Sequence, residues 1–278
     1  MSEKCRLCNS EKIKLIKKGV RDNNDIDVFK CQKCGLEFLS KTNQADENFY
    51  TQGQMHASYN IENWFKSTLS DDVRRTELLK NYIKNKSILD FGTGNGGFLL
   101  QAKKYTKNIC GYDIDKSLAE HYKKNNLEVK NSLDDFEQKF DIITMFHVLE
   151  HIENPEQILA NIKNYLKPNG KLIIEIPNSN DALLTLYKSE AFKNFTYWSC
   201  HIYAYNEKNI KKLLSQLFKI EKIMHIQRYP YTNHLGWLKD KKAGGHKKYN
   251  TNIFIDYLYT LFLKLTKKTD TLLIIASW

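Results

Sequence analysis

The sequence lacks any uninterrupted apolar run near the ~18 residues that a membrane-spanning helix requires. Its N-terminal segment also lacks the apolar core of a secretory signal peptide. These absences predict no membrane insertion and a cytoplasmic protein. The 278 residues are 41% hydrophobic and 27% charged, as expected for a globular chain long enough for one large domain with an attachment.

Arginine is scarce, since only five of the 43 basic residues are arginines. The formal net charge is +11, but it comes from lysines spread along the chain rather than from an arginine-rich patch with aromatic platforms. We interpret this charge as solvated surface and predict no nucleic-acid partner. The alternative is an acidic partner or substrate that the positive surface attracts.

Cysteine is sparse beyond two pairs near the N-terminus. Four of the six cysteines form two Cys-x-x-Cys pairs, Cys5 with Cys8 and Cys31 with Cys34, and 22 residues separate the pairs. Two such turns present four thiolates tetrahedrally to one Zn²⁺, and a reducing compartment disfavours disulfides. Because four protein ligands leave no open coordination position, the predicted zinc is structural. The alternative is two unrelated thiol turns.

A glycine-rich turn follows a short apolar segment in the middle of the chain. Residues 87–91 are apolar except for Ser87 and Asp90, and glycines then occupy positions 92, 94, 96 and 97 before an apolar run. Glycine lets the backbone pass close to a ligand, and the N-terminus of a following helix presents free N–H groups. The spacing also fits the G-x-G-x-x-G dinucleotide fingerprint. The segment therefore predicts a nucleotide-type ligand site.

Strand and helix patterns alternate from residue 87 onward, which predicts an α/β fold with a doubly wound, Rossmann-like parallel sheet. The second strand of this series ends at Asp113, 23 residues after Asp90, where a carboxylate can accept both ribose hydroxyls. Asp115 is the alternative ribose ligand, and a helix cap is the alternative role for either residue. The predicted domains are a zinc ribbon over 1–40, a connector with N-terminal helices over 41–86, and the Rossmann-like domain over 87–278 with substrate-side insertions at about 180–205 and 227–250.

Three segments carry a resemblance to a known family: the D-x-G-x-G-x-G form that begins at Asp90, the stretch 146–152 (Phe-His-Val-Leu-Glu-His-Ile) and the stretch 166–170 (Leu-Lys-Pro-Asn-Gly). They resemble class I S-adenosylmethionine-dependent methyltransferases, in particular a bacterial group with an N-terminal zinc-binding ribbon that acts in sugar or surface-polysaccharide biosynthesis. The resemblance implies S-adenosylmethionine as the cofactor beside the structural Zn²⁺. The cofactor-binding residues that we predict are Asp90, Gly92, Thr93, Gly94, Gly96, Asp113, Ile114, Ser132, Leu133, Phe146, His147 and Arg74.

The segment His147-x-x-Glu150-His151 also matches the H-x-x-E-H zinc-peptidase motif. A peptidase would need a further ligand and a cleft outside a nucleotide-type sheet, and the sequence offers neither. We therefore favour the methyltransferase interpretation, in which this segment borders cofactor and substrate. His147 then faces the pocket, and His151 is either a pocket residue or a structural histidine.

Aromatic residues mixed with histidine, asparagine and arginine cluster in the last third of the chain. Such clusters suit a polar ligand that is stacked and hydrogen-bonded, whereas the alternative is aromatic core beneath surface loops. The predicted substrate-binding residues are Tyr203, Tyr205, Gln227, Arg228, Tyr229, Asn233 and Trp237. The candidate general bases, chosen because histidine can be neutral near pH 7, are His201, His246, His234 and His147.

The apolar spacing over residues 249–267 is helical. Two placements fit such a helix, one packed on the sheet and one lying on a membrane surface. We favour packing on the sheet.

These patterns favour methyl transfer to a small polar acceptor, by O-methylation of a sugar, a nucleotide-linked sugar or a phosphorylated precursor of capsule. The alternative is an rRNA or tRNA base methyltransferase whose zinc ribbon binds RNA. Nucleic-acid enzymes that methylate exocyclic amines carry Asn/Asp-Pro-Pro-Tyr after the fourth strand, whereas residues 146–149 here are Phe-His-Val-Leu. A non-catalytic scaffold and a dinucleotide dehydrogenase are the remaining alternatives. The intact glycine turn argues against the first, and the lack of a second catalytic domain against the second. The sequence leaves the oligomeric state open.

Overall fold

The computed structural model describes residues 4–42, 47–53 and 60–278. Parts of the predicted connector, residues 43–46 and 54–59, lie outside the described residues. The strands are β1 (Ile13–Lys17), β2 (Val28–Cys31), β3 (Glu37–Leu39), β4 (Ser87–Phe91), β5 (Asn108–Tyr112), β6 (Val129–Lys130), β7 (Phe140–Phe146), β8 (Leu166–Pro177), β9 (Tyr203–Ala204), β10 (Lys219–Ile226) and β11 (Thr271–Ser277).

The α-helices connect these strands and cover both faces of the central sheet. They are α1 (Glu47–Thr51), α2 (Ile61–Ile83), α3 (Gly97–Ala102), α4 (Ala119–Lys124), α5 (Pro155–Asn164), α6 (Ala182–Thr185), α7 (Glu190–Thr196), α8 (Glu207–Leu214), α9 (Tyr231–Leu235), α10 (Gly245–Lys248) and α11 (Ile253–Leu265).

The central sheet has seven strands in the order β10-β11-β8-β7-β4-β5-β6. Strands β4 to β8 pair in parallel, and β11 pairs antiparallel with both β8 and β10. The predicted α/β doubly wound sheet is confirmed, with one strand reversed. Because the chain builds outward from β4 through β5 to β6 and then returns to place β7 on the other side of β4, the strand order reverses there. The carboxyl ends of β4 and β7 therefore border a crevice.

Alternate residues of β4 pack into separate apolar cores on the two faces of the sheet. Ile88 joins the cluster that contains Leu79 of α2. Leu89 joins the cluster that contains Leu159 and Ile162 of α5. This alternation follows from the two-residue period of a strand. It explains why the side chains on both faces of β4 are largely apolar.

Helix α2 is continuous, although the sequence predicts a helix from about residue 63 to 84 with a second start near Ser70 to Asp72. The helix begins after Asn60, whose side chain accepts hydrogen bonds from the backbone of Glu62 and Asn63. The later acidic residues do not cap a new helix, because they form i,i+3 ion pairs with the arginines of the next turn.

The N-terminal segment forms a second, four-stranded sheet in the order β1-β2-β3-β9. Its last strand comes from far along the chain, since Phe38 in β3 pairs with Tyr203 in β9. Both residues also belong to the apolar cluster that contains β4 and α5. The small sheet and the large one therefore share a core.

Helix α11 differs from its prediction. The sequence favours packing of this helix on the sheet, yet Leu263 is its one buried residue. The helix is held instead by α9, where Asp256 accepts a hydrogen bond from the backbone of Tyr231 at 2.8 Å. The large apolar side chains of its outer face are at least 41% exposed.

Candidate active site

A cavity of about 920 Å³ opens at the carboxyl ends of β4, β5 and β7. Open α/β sheets bind their ligands at this reversal of strand order. The wall combines the glycine turn, one face of α2, the ends of β5 and β7, and the segment before β9. It brings together these residues predicted from the sequence: Asp90, Gly92, Thr93, Gly94, Asp113, Ile114, Phe146, His147, His201 and Arg228.

The glycine turn needs glycine at its centre. Gly92 and Gly94 have φ angles of +77° and +54°, in the left-handed region. A Cβ on Gly92 would lie 2.4 Å from the Val148 side chain, and one on Gly94 would lie 3.3 Å from Trp64. The turn therefore presents bare backbone to the cavity, as a close ligand contact requires.

Asp113 follows β5 and holds its carboxylate against the glycine turn. Its Oδ2 accepts a hydrogen bond from the Gly94 amide at 2.7 Å, and its Oδ1 accepts one from the Asp115 amide at 2.9 Å. Burial raises the pKa of Asp113, and the two amide hydrogen bonds oppose that rise. The carboxylate is thus fixed at the cavity wall, where it can accept the hydroxyls of a ribose.

Two further carboxylates, of Asp72 and Asp90, line the cavity together with the glycine turn. Asp90 accepts hydrogen bonds from Thr144 at 2.6 Å and Thr93 at 3.1 Å, and burial raises its pKa to about 7. Asp72 of α2 pairs with Arg75, while its Oδ2 is buried without a hydrogen-bond partner among the described residues. Asp72 Oδ2 therefore keeps unused hydrogen-bonding capacity, whereas each oxygen of Asp90, like each oxygen of Asp113, already accepts one hydrogen bond.

A buried ion-pair network ties α2 to β8. Glu175 is fully buried and accepts hydrogen bonds from Arg74 and Arg75, at 2.9 Å from Nη1 of the first and Nε of the second. These guanidinium groups overcome the cost of burial and hold the pKa of Glu175 well below its usual range. Arg74, predicted to bind cofactor, is engaged here and with Asp71, and Arg75 lines the cavity instead.

An acid–histidine group lies beside the cavity, which His151 and His201 line and Glu150 does not. Ligand atoms of Glu150, His151 and His201 all lie within 4.8 Å of one another, a spacing that a divalent cation would also accept. Glu150 Oε2 and His151 Nδ1 are buried and lack hydrogen-bond partners within the described ranges. The Tyr50 ring packs edge-on against His151, and its hydroxyl is likewise unpartnered in the described part of the chain. The described residues therefore leave the hydrogen-bonding capacity of these three buried atoms unused.

The charges of this group follow from burial and proximity. Burial opposes ionisation of Glu150, but the hydrogen bond from His147 and the surrounding histidines bring its pKa down to about 2. Burial, together with a smaller contribution from His151, lowers the pKa of His201 to about 3. The arrangement is therefore an anionic carboxylate beside a neutral imidazole near pH 7.

His147 begins this segment in a strained backbone conformation, with φ of +57°. Its Nδ1 lies 3.2 Å from Glu150 Oε1, and its Nε2 lies 3.1 Å from Nη1 of Arg228. Burial lowers the pKa of His147, but hydrogen bonds with Glu150 and Glu175 raise it above its ordinary value. Both ring nitrogens are engaged by protein groups, so His147 orients its neighbours.

Several residues predicted for the site lie elsewhere in the described structure. His234 is buried against Tyr259, with 2.6 Å between Nδ1 and the hydroxyl, and His246 lies 3.3 Å from Asn233. These contacts form a separate packed unit around α9 and α10. The predicted residues outside the cavity lining are Gly96, Ser132, Leu133, Arg74, Tyr203, Tyr205, Gln227, Tyr229, Asn233, Trp237, His234 and His246.

Tyr203 and Tyr205 line a second cavity of about 620 Å³, which also includes Glu153 to Gln157. The Tyr203 hydroxyl donates to the backbone oxygen of Glu153 at 2.9 Å. The Trp237 ring packs against Phe192 and Phe195, whose centroids lie 5.2 and 5.0 Å away. Aromatic packing thus explains much of the pattern that the sequence analysis assigned to substrate.

Helix α2 contributes five residues to the cavity that were not predicted from the sequence. Trp64, Thr68, Asp71, Asp72 and Arg75 all line it. Their spacing is that of one helical face, and a polar stripe on a helix just before the glycine turn is the signal that would have found them.

The four N-terminal thiols meet in space. The Sγ atoms of Cys5 and Cys34 are 3.5 Å apart, those of Cys8 and Cys31 are 3.6 Å apart, and all four lie within 4.8 Å of one another. Tetrahedral Zn–S bonds of about 2.3 Å place sulfur atoms roughly 3.8 Å apart. The residues therefore fit the predicted structural zinc.

The sheet order, the glycine turn and the carboxylate after β5 together define the class I S-adenosylmethionine-dependent methyltransferases, as the resemblance implied. A family model described as "Methyltransferase domain" matches residues 63–217, more than half of the chain. The chain belongs to this family.

Relatives and solved structures agree with this class. A ubiquinone biosynthesis O-methyltransferase of Coxiella burnetii is 33% identical over 135 residues, 44% of this chain and 57% of the relative, so the match spans just over half of that protein. An uncharacterized protein of Methanocaldococcus jannaschii is 27% identical over 180 residues, 60% of this chain and 86% of the relative. The crystal structure of a methyltransferase from Archaeoglobus fulgidus shares the fold, with a TM-score of 0.55 and 19% identity over 78% of this chain and 97% of that one.

Proposed function

We propose that the protein transfers a methyl group from S-adenosylmethionine to a hydroxyl of a small polar acceptor. The acceptor class that we favour is a sugar, a nucleotide-linked sugar or a phosphorylated precursor of surface polysaccharide. One observation carries the proposal: a single cavity runs from Asp113 to the imidazoles of His151 and His201. The name O-methyltransferase of the curated relative supports a hydroxyl acceptor.

The part of the cavity beside the glycine turn has one carboxylate for the ribose and another for the ammonium of the cofactor. S-adenosylmethionine supplies a methyl group that its sulfonium centre makes electrophilic. We assign the ribose hydroxyls to Asp113, whose carboxylate the Gly94 amide holds in place. We assign the ammonium to Asp72, because its Oδ2 lacks a partner among the described residues. Asp90 accepts hydrogen bonds from Thr93 in the glycine turn and from Thr144 in β7, so it ties the turn to that strand.

The acceptor half has a group that can take the proton of a hydroxyl. His201 lines the cavity, where burial keeps its imidazole neutral, and the neighbouring Glu150 carboxylate opposes the effect of burial and favours uptake of the proton. The Glu150 carboxylate beside it stabilises the imidazolium that would form, as the carboxylate of a catalytic triad does. His147, engaged through both ring nitrogens, positions Glu150.

Calorimetry with S-adenosylmethionine tests the donor half. Asp113→Asn keeps the shape but weakens the acceptance of two hydroxyls, so affinity should fall at least 10-fold. Asp25→Asn, on the exposed loop of the small sheet, is the control and should bind like the wild type. Equal affinity of all three proteins would contradict the assignment.

Methyl transfer to nucleotide sugars and phosphorylated metabolites, screened with a labelled methyl group, tests the acceptor half. His201→Asn should reduce turnover about 100-fold or more and leave cofactor affinity within twofold. His246→Asn, outside the cavity, should retain turnover. Unchanged turnover of His201→Asn would contradict the role. So would a bound divalent cation that Glu150→Gln removes, because a metal-bound imidazole has no free lone pair.

A further inference from the structure

The apolar stripe of α11 faces solvent. Six residues repeat at the i, i+3, i+4 spacing of one helix face: Phe254, Tyr257, Leu258, Leu261, Phe262 and Leu265. Each is between 41% and 75% exposed. This spacing predicts a buried face, and large exposed apolar patches mark sites that another surface covers.

The opposite face fixes the helix on the protein. The Tyr259 hydroxyl lies 2.6 Å from His234 Nδ1, Asp256 bonds to the Tyr231 backbone, and Leu263 is buried. The Asn252 side chain caps the helix start. The outward direction of the stripe is therefore set by packing on the inner face.

The helix has the wrong length to cross a bilayer. Thirteen residues span about 20 Å, whereas the hydrocarbon core is about 30 Å thick. No helix in the described part of the chain is long and apolar enough for a membrane span. An apolar face of this size on a short helix suits adsorption in the plane of an interface.

Lysines flank the stripe at both ends. Eight lysines and two aspartates lie between residues 236 and 268. Both aspartates are engaged, Asp240 with Lys248 and Tyr249, and Asp256 with the Tyr231 backbone. Glu207 also pairs with Lys267 at 2.9 Å, so the surroundings of the helix keep an excess of five positive charges.

The positive charge around α11 distinguishes two surfaces that could cover the stripe, a second copy of the chain and an anionic lipid bilayer. In a pair of α11 helices from two copies of the chain, an antiparallel arrangement brings Lys247 and Lys248 close to Lys264, Lys267 and Lys268 of the other copy. A parallel arrangement brings identical lysines together. Like charges meet in either case. An anionic lipid surface instead attracts lysines at both ends.

We propose that α11 docks the protein on the surface of an anionic lipid bilayer, with the stripe inserted among the headgroups and the lysines on the lipid charges.

Vesicle sedimentation with the full chain tests this inference, which does not depend on the identity of the methyl acceptor. Binding to vesicles of 30 mol% phosphatidylglycerol in phosphatidylcholine should exceed binding to pure phosphatidylcholine at least 10-fold. Salt at 0.5 M should remove most of the difference, since it screens the lysines. Leu261→Ser combined with Leu265→Ser should lower binding at least 10-fold, and Lys247→Glu combined with Lys264→Glu should do the same.

Leu78→Ser is the matched control, because Leu78 is a similarly exposed leucine on α2. It should bind vesicles like the wild type. Circular dichroism and cofactor affinity of all variants should match the wild type, because the substituted side chains are exposed. Equal binding to both kinds of vesicle would overturn the inference. So would a stable dimer in ultracentrifugation that Leu261→Ser with Leu265→Ser dissociates and that does not bind vesicles.

Discussion

At the scale of single residues, the site depends on backbone freedom and on carboxylates held in fixed positions. Gly92 has a left-handed φ angle and also touches the Val148 side chain, so it joins the turn after β4 to the segment after β7. Asp113 is then held by the amide of Gly94. Glycine at position 92 therefore lets the turn after β4 pack closely against the segment after β7 in the cavity wall.

Gly92→Ala should destabilise the protein by at least about 2 kcal/mol, since it adds left-handed strain to an overlap with Val148. Gly244→Ala is the control. Its φ angle of +94° is also positive, but no described atom lies within 4 Å of an added Cβ. That variant should lose only about 1 kcal/mol. Urea unfolding measures both, and equal losses would show that contact with Val148 has no cost.

At the scale of elements, charged side chains join helices and strands that are distant in sequence. Glu207 begins α8 after the capping box of Asn206 and Asn209. Its carboxylate lies 2.9 Å from both His225 Nε2 in β10 and Lys267 Nζ after α11, and it also pairs with Lys211. One side chain thus links α8, the edge strand of the sheet and the end of α11.

These partners outweigh the partial burial of Glu207 and lower its pKa to about 2. A lowered carboxyl pKa stabilises the folded state above the unfolded value near 4.5, and this stability is lost as the pH falls from about 4.5 towards 2. Glu207→Gln should therefore cost about 1 kcal/mol at pH 7, a modest amount because solvent screens the cluster. It should cost almost nothing at pH 2.

Glu190→Gln provides the control for Glu207→Gln. Glu190 also begins a helix, but its side chain is 75% exposed and pairs with Lys193 at 3.7 Å. Urea titrations between pH 2 and 7 should show little change for this variant. A cost of Glu207→Gln that does not vary with pH would refute the electrostatic explanation.

At the scale of the whole molecule, the N-terminal sheet and the large sheet pack around one apolar core. Strand β9 completes the small sheet, and Cys5, Cys31 and Cys34 belong to the same apolar cluster as the core strands. Loss of the proposed zinc should therefore weaken the whole fold and not the ribbon alone.

The protein should contain one zinc per chain on its thiols, released by a chelator together with a single downward shift of the unfolding temperature. Cys34→Ser should lower the metal content and the unfolding temperature in the same way. Cys110→Ser, at a buried thiol outside the cluster, should retain the zinc. Two separate transitions after chelation would contradict the shared core.

The α/β fold, the glycine turn with Asp90 and Asp113, and the cluster of the four N-terminal cysteines could all be predicted from the sequence alone. These features depend on local periodicity and on short motifs. The contribution of α2 to the cavity depended on tertiary structure. A polar helix face becomes part of a binding site only when packing places it beside the ends of the strands. Packing also decided between the histidines: His201 reaches the cavity, while His234 and His246 are held by Tyr259 and Asn233. For α11 the helical spacing gave the helix, but only the described neighbours show that its apolar face points outward.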